Sequence, residues 1–166
     1  MTVEEEFLKT IAHFSQTHPH FDDGRIDYTR SSVAPVLTVF VSYRDKILLL
    51  KRSDKVLHYR GKWNTVAGYL DQERPLREKV LEELAEELGI METDIASLSY
   101  GTSYQFVDKA IQNKWIIYPV LARLMNEPVL RLDWEHTEYQ WILPRELIHF
   151  DIVPNLDVSL HNVLGR

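Results

Sequence analysis

Hydrophobic and polar positions alternate with two different periods along this chain, and the change of period marks its elements. Residues Val3 to about His18 place Phe7, Ile11, Ala12 and Phe14 at helical spacing until THPHF breaks the pattern, predicting a leading helix. APVLTVFVSY and KILLLKR are rich in β-branched and aliphatic residues around Arg44-Asp45, predicting a hairpin whose second strand ends at Lys51 and Arg52. A basic and aromatic loop, SDKVLHYRGKW, leads into a short strand, NTVAGYL. From Leu76 to Leu88 the period returns to 3.6, with Val80, Leu81, Leu84, Ala85 and Leu88 on one stripe. Two long strands are then expected, SLSYGTSYQFVDK and NKWIIYPVLARL, followed by a short strand VLRL and the acidic-aromatic loop DWEHTEY. A strand around QWIL, a helix opened by Pro144 and a closing helix between Pro154 and Leu164 complete the pattern. Strands and helices mix without regular βαβ alternation, which favours an α+β or layered α/β/α arrangement over a doubly wound parallel sheet.

The helix over 76–88 carries four glutamates in its last two turns, Glu82, Glu83, Glu86 and Glu87, just before Gly89. Carboxylates there oppose the helix dipole by about 0.3–1 kcal/mol each at low salt. The i,i+4 pairs Glu82/Glu86 and Glu83/Glu87 add like-charge repulsion of about 0.2–0.5 kcal/mol each. Most acidic helix faces are simply solvated. Here the costs share a sign, and backbone approaches through Gly68, so a hard divalent cation with oxygen ligands would turn the repulsion into binding energy.

Composition narrows the chemistry. The chain has 166 residues, 45% hydrophobic and 27% charged, the profile of one globular domain over 1–166 with residues 1–30 as a helical N-terminal extension. Without cysteine there is no disulfide, thiolate metal site or cysteine nucleophile. A net charge of −6 argues against a dedicated nucleic-acid site. The acidic N-terminus is not a secretory signal and no long apolar run suggests a membrane span, so the cytoplasm is the expected location.

Gly68 to Ile90 reproduces a longer pattern, G-x5-E-x7-R-E-U-x-E-E-x-G-U with U aliphatic, every spacing intact through Glu83, Glu86, Glu87, Gly89 and Ile90. In this it resembles the Nudix hydrolases. The resemblance implies an α/β/α sandwich with a mixed β-sheet, Mg²⁺ or Mn²⁺ as cofactor, and hydrolysis of a pyrophosphate bond in a nucleoside diphosphate linked to another group. It implies metal ligation by Glu83, Glu86, Glu87 and the Ala67 carbonyl. The general base would be Glu83 within the motif, or Glu135 or Glu138 on the DWEHTEY loop, where Glu138 is preferred for its spacing to Trp141. Arg52, Arg60 and Lys62 are candidates to receive phosphates, and Tyr118 is among the aromatics able to hold a base. His136 and the other histidines receive no role.

The chain departs from the pattern twice, with Arg74 where a glutamate is expected and Glu82 where an arginine is expected. These departures are a charge swap, and a reversed Arg74–Glu82 pair is expected to position Glu83, with Arg77 or Glu73 as substitutes. The swap also motivates another reading, a catalytically silent Nudix domain that binds a nucleotide or a protein. A third, an isoprenoid diphosphate isomerase of the same fold, is faintly suggested by KRSDKV and GKW, although it normally relies on a cysteine. The N-terminal segment either extends the pocket or forms a homodimer contact.

Overall fold

The computed structural model describes residues 1–165. Its helices are α1 (Val3–Thr17), α2 (Leu76–Leu88) and α3 (Leu156–Leu164), with short 3-10 helices at Glu92–Asp94 and Pro144–His149. Its strands are β1 (Val33–Tyr43), β2 (Lys46–Arg52), β3 (Trp63–Asn64), β4 (Val66–Tyr69), β5 (Ile95–Tyr100), β6 (Tyr104–Asp108), β7 (Asn113–Leu124) and β8 (His136–Ile142). No helix among the described residues is long and apolar enough to cross a membrane.

The sheet is mixed, with β1 and β7 parallel along its centre and the other pairings antiparallel. One edge of β1 pairs with β2 at Ser42–Tyr43 and with β4 over Val36–Val39. The free edge of β7 is divided in the same way, between β5 over its second half and β6 over its first. The sheet therefore forks at one end, and the fork leaves room between strands that a continuous ladder would close.

Alternation along the strands sends side chains to two layers. Leu37, Val39, Val41, Leu48 and Leu50 pack with α1 and α2, while Phe40, Ile47, Leu49 and Leu121 pack with α3. This is the layered α/β/α arrangement the sequence favours. Phe7, Ile11 and Phe14 anchor α1 in the first layer, and a capping box between Thr2 and Glu5 starts it. The Glu4 carboxylate accepts the Leu76 amide at 3.1 Å, so α1 supplies both a hydrogen bond and negative charge at the N-terminus of α2. The 18–32 segment is laced on by Ile26, whose amide donates to Asp71, and by the buried Tyr28, whose hydroxyl donates to the Leu70 carbonyl.

Several expected elements change form. SLSYGTSYQFVDK is two strands broken at Gly101–Ser103, where a Cβ on Gly101 would lie 3.1 Å from the Asn162 backbone. The helix after Pro144 is a single 3-10 segment. VLRL is irregular rather than a strand: Leu130 and Leu132 pack on the core, but the Arg131 amide caps the Leu88 carbonyl at the end of α2. Its alternating pattern records burial on one side only, because the backbone is used for capping and not for pairing.

Candidate functional site

Helix α2 turns inward two of the four acids in its last two turns. Its buried face comprises Leu76, Val80, Glu83, Leu84, Glu87 and Leu88, whereas Glu86 is exposed and Glu82 half-buried. The division into apolar and acidic faces read from sequence is thus displaced, with Glu83 and Glu87 forming the border of the core stripe. Gly89, at φ 72°, ends the helix and donates to the Ala85 carbonyl.

Glu83 lies against Gly68: a Cβ there would stand 2.6 Å from Oε1 and 2.7 Å from Cδ. The glycine is required by close approach rather than by backbone conformation. Lys79 holds the same carboxylate, with Nζ 2.6 Å from Glu83 Oε1 and 3.0 Å from Glu82 Oε2. Sequence reading missed Lys79, although its i,i+4 spacing to Glu83 was the available signal. Burial opposes its charge, but Glu83 and Glu82 outweigh that and push its pKa up. Burial raises the Glu83 pKa despite the pull of Lys79.

Arg74 Nη2 donates to Glu82 Oε2, so the expected reversed ion pair is present. Arg77 pairs instead with Glu92, and Glu73 is exposed. With about a quarter to a third of each side chain exposed, coupling of ~1 kcal/mol is expected between Arg74 and Glu82. Each of Arg74→Glu and Glu82→Arg should lower thermal stability and activity, and the double substitution should recover part of both. Strictly additive losses in a double-mutant cycle would show that Arg74 and Glu82 are uncoupled and defeat the reversed pair.

Glu87 is 2% exposed and its Oε2 has no hydrogen-bond partner. Burial, with Glu135 beside it, drives its pKa well above the carboxylate range. The loop between β7 and β8 delivers that neighbour. Asp133 N donates to the Glu87 carbonyl, Glu135 N to Asp133 Oδ1 at 3.1 Å, and Ser53 N to the Glu135 carbonyl at 2.8 Å. These ties tether the loop to both α2 and the end of β2. They also bring in His136, buried at the start of β8, so that donor atoms of Glu87, Glu135 and His136 lie within 4.8 Å of one another. Burial lowers the His136 pKa to about 4, leaving the imidazole neutral near pH 7.

Other sequence candidates separate. Glu138, the preferred late acid, is not brought to the cluster: it pairs with Lys51 at 3.1 Å, and Lys51 lies over Trp63 in the α3 layer. One residue of alternation decides this, since Arg52, adjacent to Lys51, turns to the α2 side and feels Glu135 and Glu87. Tyr118 is 1% exposed and donates to Thr10 Oγ1 within the α1 layer, which removes it as a substrate contact. Arg60 Nε donates to the Val56 carbonyl and Lys62 pairs with Asp151, so neither lines the cavity beside the acids.

That cavity, about 360 Å³, occupies the fork of the sheet and is bordered by Ala67, Gly68, Glu135 and Arg52. Arg52 spends Nε on the His58 carbonyl at 3.0 Å, which aims the rest of its guanidinium. Tyr69, Tyr104, Phe106 and Trp115 supply aromatic wall. Tyr59 donates to Asp108 across the cavity, joining the 53–62 loop to the end of β6. A compartment of this size suits a planar group, and Glu135 and Arg52 lie on its wall.

Comparisons with known proteins agree with this arrangement. Residues 33–162 match the NUDIX domain. The nucleoside triphosphatase NudI of Escherichia coli is 23% identical over 128 residues, spanning 74% of this chain and 88% of that protein. The MutT protein from Methanosarcina mazei superposes with a TM-score of 0.67 at 19% identity, covering 82% of this chain and 96% of the other. The NUDIX domain of Shewanella oneidensis NrtR, complexed with ADP ribose, superposes with a TM-score of 0.64 at 14% identity, covering 81% and 90%.

Proposed function

The chain belongs to the Nudix family of pyrophosphohydrolases, and from that premise we propose that it uses a divalent cation to hydrolyse a pyrophosphate bond in a nucleoside diphosphate carrying a further group. The observation that carries this reading is Glu87, a buried carboxylate whose Oε2 has no hydrogen-bond partner, beside Glu135, which lines an aromatic cavity. A buried carboxylate with one oxygen left without a hydrogen-bond donor fits a cation, so the residues suit Mg²⁺ or Mn²⁺. Glu83, Glu86, Glu87 and the Ala67 carbonyl would hold it, with Glu135 adjoining. When bound, such an ion neutralises phosphate charge and makes water a better nucleophile.

The protein's own groups account for the remaining work. The outer nitrogens of Arg52 receive a phosphate in a fixed orientation, because Nε is already committed to His58. Tyr69, Tyr104 and Trp115 offer faces for a base. Glu135 lines the cavity and can accept a proton from the attacking water, with Glu83 as the in-motif alternative. Lys79 and the Arg74–Glu82 pair keep Glu83 against Gly68, so the charge swap preserves its placement. This supports turnover over the silent-domain reading.

Cation binding should be visible in stability. Because Glu87 titrates higher in the folded protein than unfolded, its contribution to stability is present at low pH and is lost as pH rises through the folded pKa. A cation that binds only the ionised carboxylate reverses that loss. The rise in Tm on adding Mg²⁺ or Mn²⁺ should therefore be larger at pH 8 than at pH 5, measured by differential scanning fluorimetry. Equal shifts at both pH values would contradict it.

The activity is tested by product analysis on a panel containing nucleoside triphosphates and ADP ribose, to which the names of the relatives point, together with dinucleoside polyphosphates and nucleotide sugars. Metal-dependent release of a nucleotide product from at least one is expected. Tight binding of panel members without turnover would favour the silent domain.

A further inference from the structure

We infer that Glu87, Glu135 and His136 form a mixed carboxylate–imidazole cation site that takes a borderline first-row ion, Mn²⁺, Co²⁺ or Zn²⁺, in preference to Mg²⁺. The donor atoms of these residues already lie within 4.8 Å of one another. Two donors on a common first-row ion can be at most about 4.4 Å apart, twice a bond of about 2.2 Å, so side-chain rotation is sufficient to close on an ion.

Two buried atoms without hydrogen-bond partners point to a ligand. They are Glu87 Oε2, on a residue 2% exposed, and His136 Nδ1, on a side chain 2% exposed. A histidine that merely fills a core normally has its ring nitrogens satisfied. His136 Nδ1 is 3.4 Å from Asp133 Oδ1, within ion-pair range but without a hydrogen bond.

The ligand set differs from the all-oxygen group of Glu83, Glu86, Glu87 and the Ala67 carbonyl. Mg²⁺ favours oxygen and keeps its water, whereas imidazole suits the later first-row ions. Glu87 has two oxygens and is common to both sets. The inference shares Glu87 and Glu135 with the hydrolytic reading but does not require turnover.

Untagged full-length protein in excess Mg²⁺, given one equivalent of Mn²⁺, should show imidazole nitrogen modulation in pulsed EPR. His136→Gln should abolish that modulation and weaken Co²⁺ and Zn²⁺ binding by roughly 10-fold or more in titration calorimetry, with Mg²⁺ affinity nearly unchanged. Absence of nitrogen modulation in the wild type, its persistence in His136→Gln, or equal weakening of all the ions would overturn the site. If His136→Gln does not fold, the wild-type spectrum decides, and Glu135→Gln should weaken Co²⁺ in the same way. Nitrogen modulation without hydrolysis of any nucleotide would sustain the cation site and defeat the hydrolytic reading. Hydrolysis without modulation would do the reverse.

Discussion

Glu87→Gln is expected to lower kcat/KM by on the order of 10³-fold while leaving the metal-free protein at least as stable as the wild type. The loss corresponds to about 4 kcal/mol, the several kcal/mol that a correctly held cation contributes to a phosphoryl transition state. The stability half follows from burial. Glu87 is almost fully enclosed, its Oε2 lacks a partner, and burial beside Glu135 makes its ionised form unfavourable. Glutamine keeps the shape, removes the charge and offers Glu135 a donor in place of a competing acid. A residue retained for folding alone would show the opposite pattern, with Tm falling and catalysis following it. The Tm gain on adding Mg²⁺ should also shrink in the variant, so one thermal titration with and without metal, beside one rate measurement, decides between the roles.

Gly68→Ala should reduce kcat/KM by ~10²-fold with little change in Tm, the cost expected when a reacting constellation is displaced by about an ångström. The new methyl would meet Glu83 Oε1 at 2.6 Å and Cδ at 2.7 Å. That carboxylate is the end of a flexible side chain, so the clash is relieved by moving Glu83 away from the cavity rather than by deforming β4. Lys79, which holds Glu83 at 2.6 Å, must follow or release it. Wild-type activity in Gly68→Ala would show that the position of Glu83 against β4 is immaterial to the reaction. A large drop in Tm would show instead that the contact is structural.

Lys79 shows how a legible local signal can lack a reason to be read. Its i,i+4 spacing to Glu83 lies in the sequence, but surface helices carry many such pairs with little consequence. Only its burial, with 12% of the side chain exposed among Asp71, Glu82 and Glu83, marks it out. The Arg74–Glu82 pair was accessible for another reason. Two departures of opposite sign at motif positions eight residues apart are informative before any coordinates, and their contact follows once the chain between them turns into α2.

The late acid depended on a parity that sequence could not settle. Both Glu135 and Glu138 fit DWEHTEY, with Glu138 favoured by its spacing to Trp141, but the choice rests on where β8 begins and which face of β2 each residue meets. The strand starts at His136, placing Glu138 opposite Lys51 on the α3 side, while the ties from Asp133 and Ser53 turn Glu135 toward Glu87. Tyr118 failed for the same kind of reason, since its position in β7 points it at α1.

By itself the sequence determined the layered class of the fold, the helix that carries the acids, the glycine before it and the compensating charge swap. These are encoded at short range, by periodicity, by spacing along one helix and by residue types with narrow uses. The tertiary structure alone decided which acids face inward, that Glu135 and His136 join Glu87, that Lys79 holds Glu83, and that the forked sheet opens an aromatic cavity beside them. Each of these depends on strand parity, on the burial of a particular carboxylate, or on loop amides that satisfy the end of α2. Such relations are set between segments distant in the chain, where local pattern carries no information about which side chain meets which.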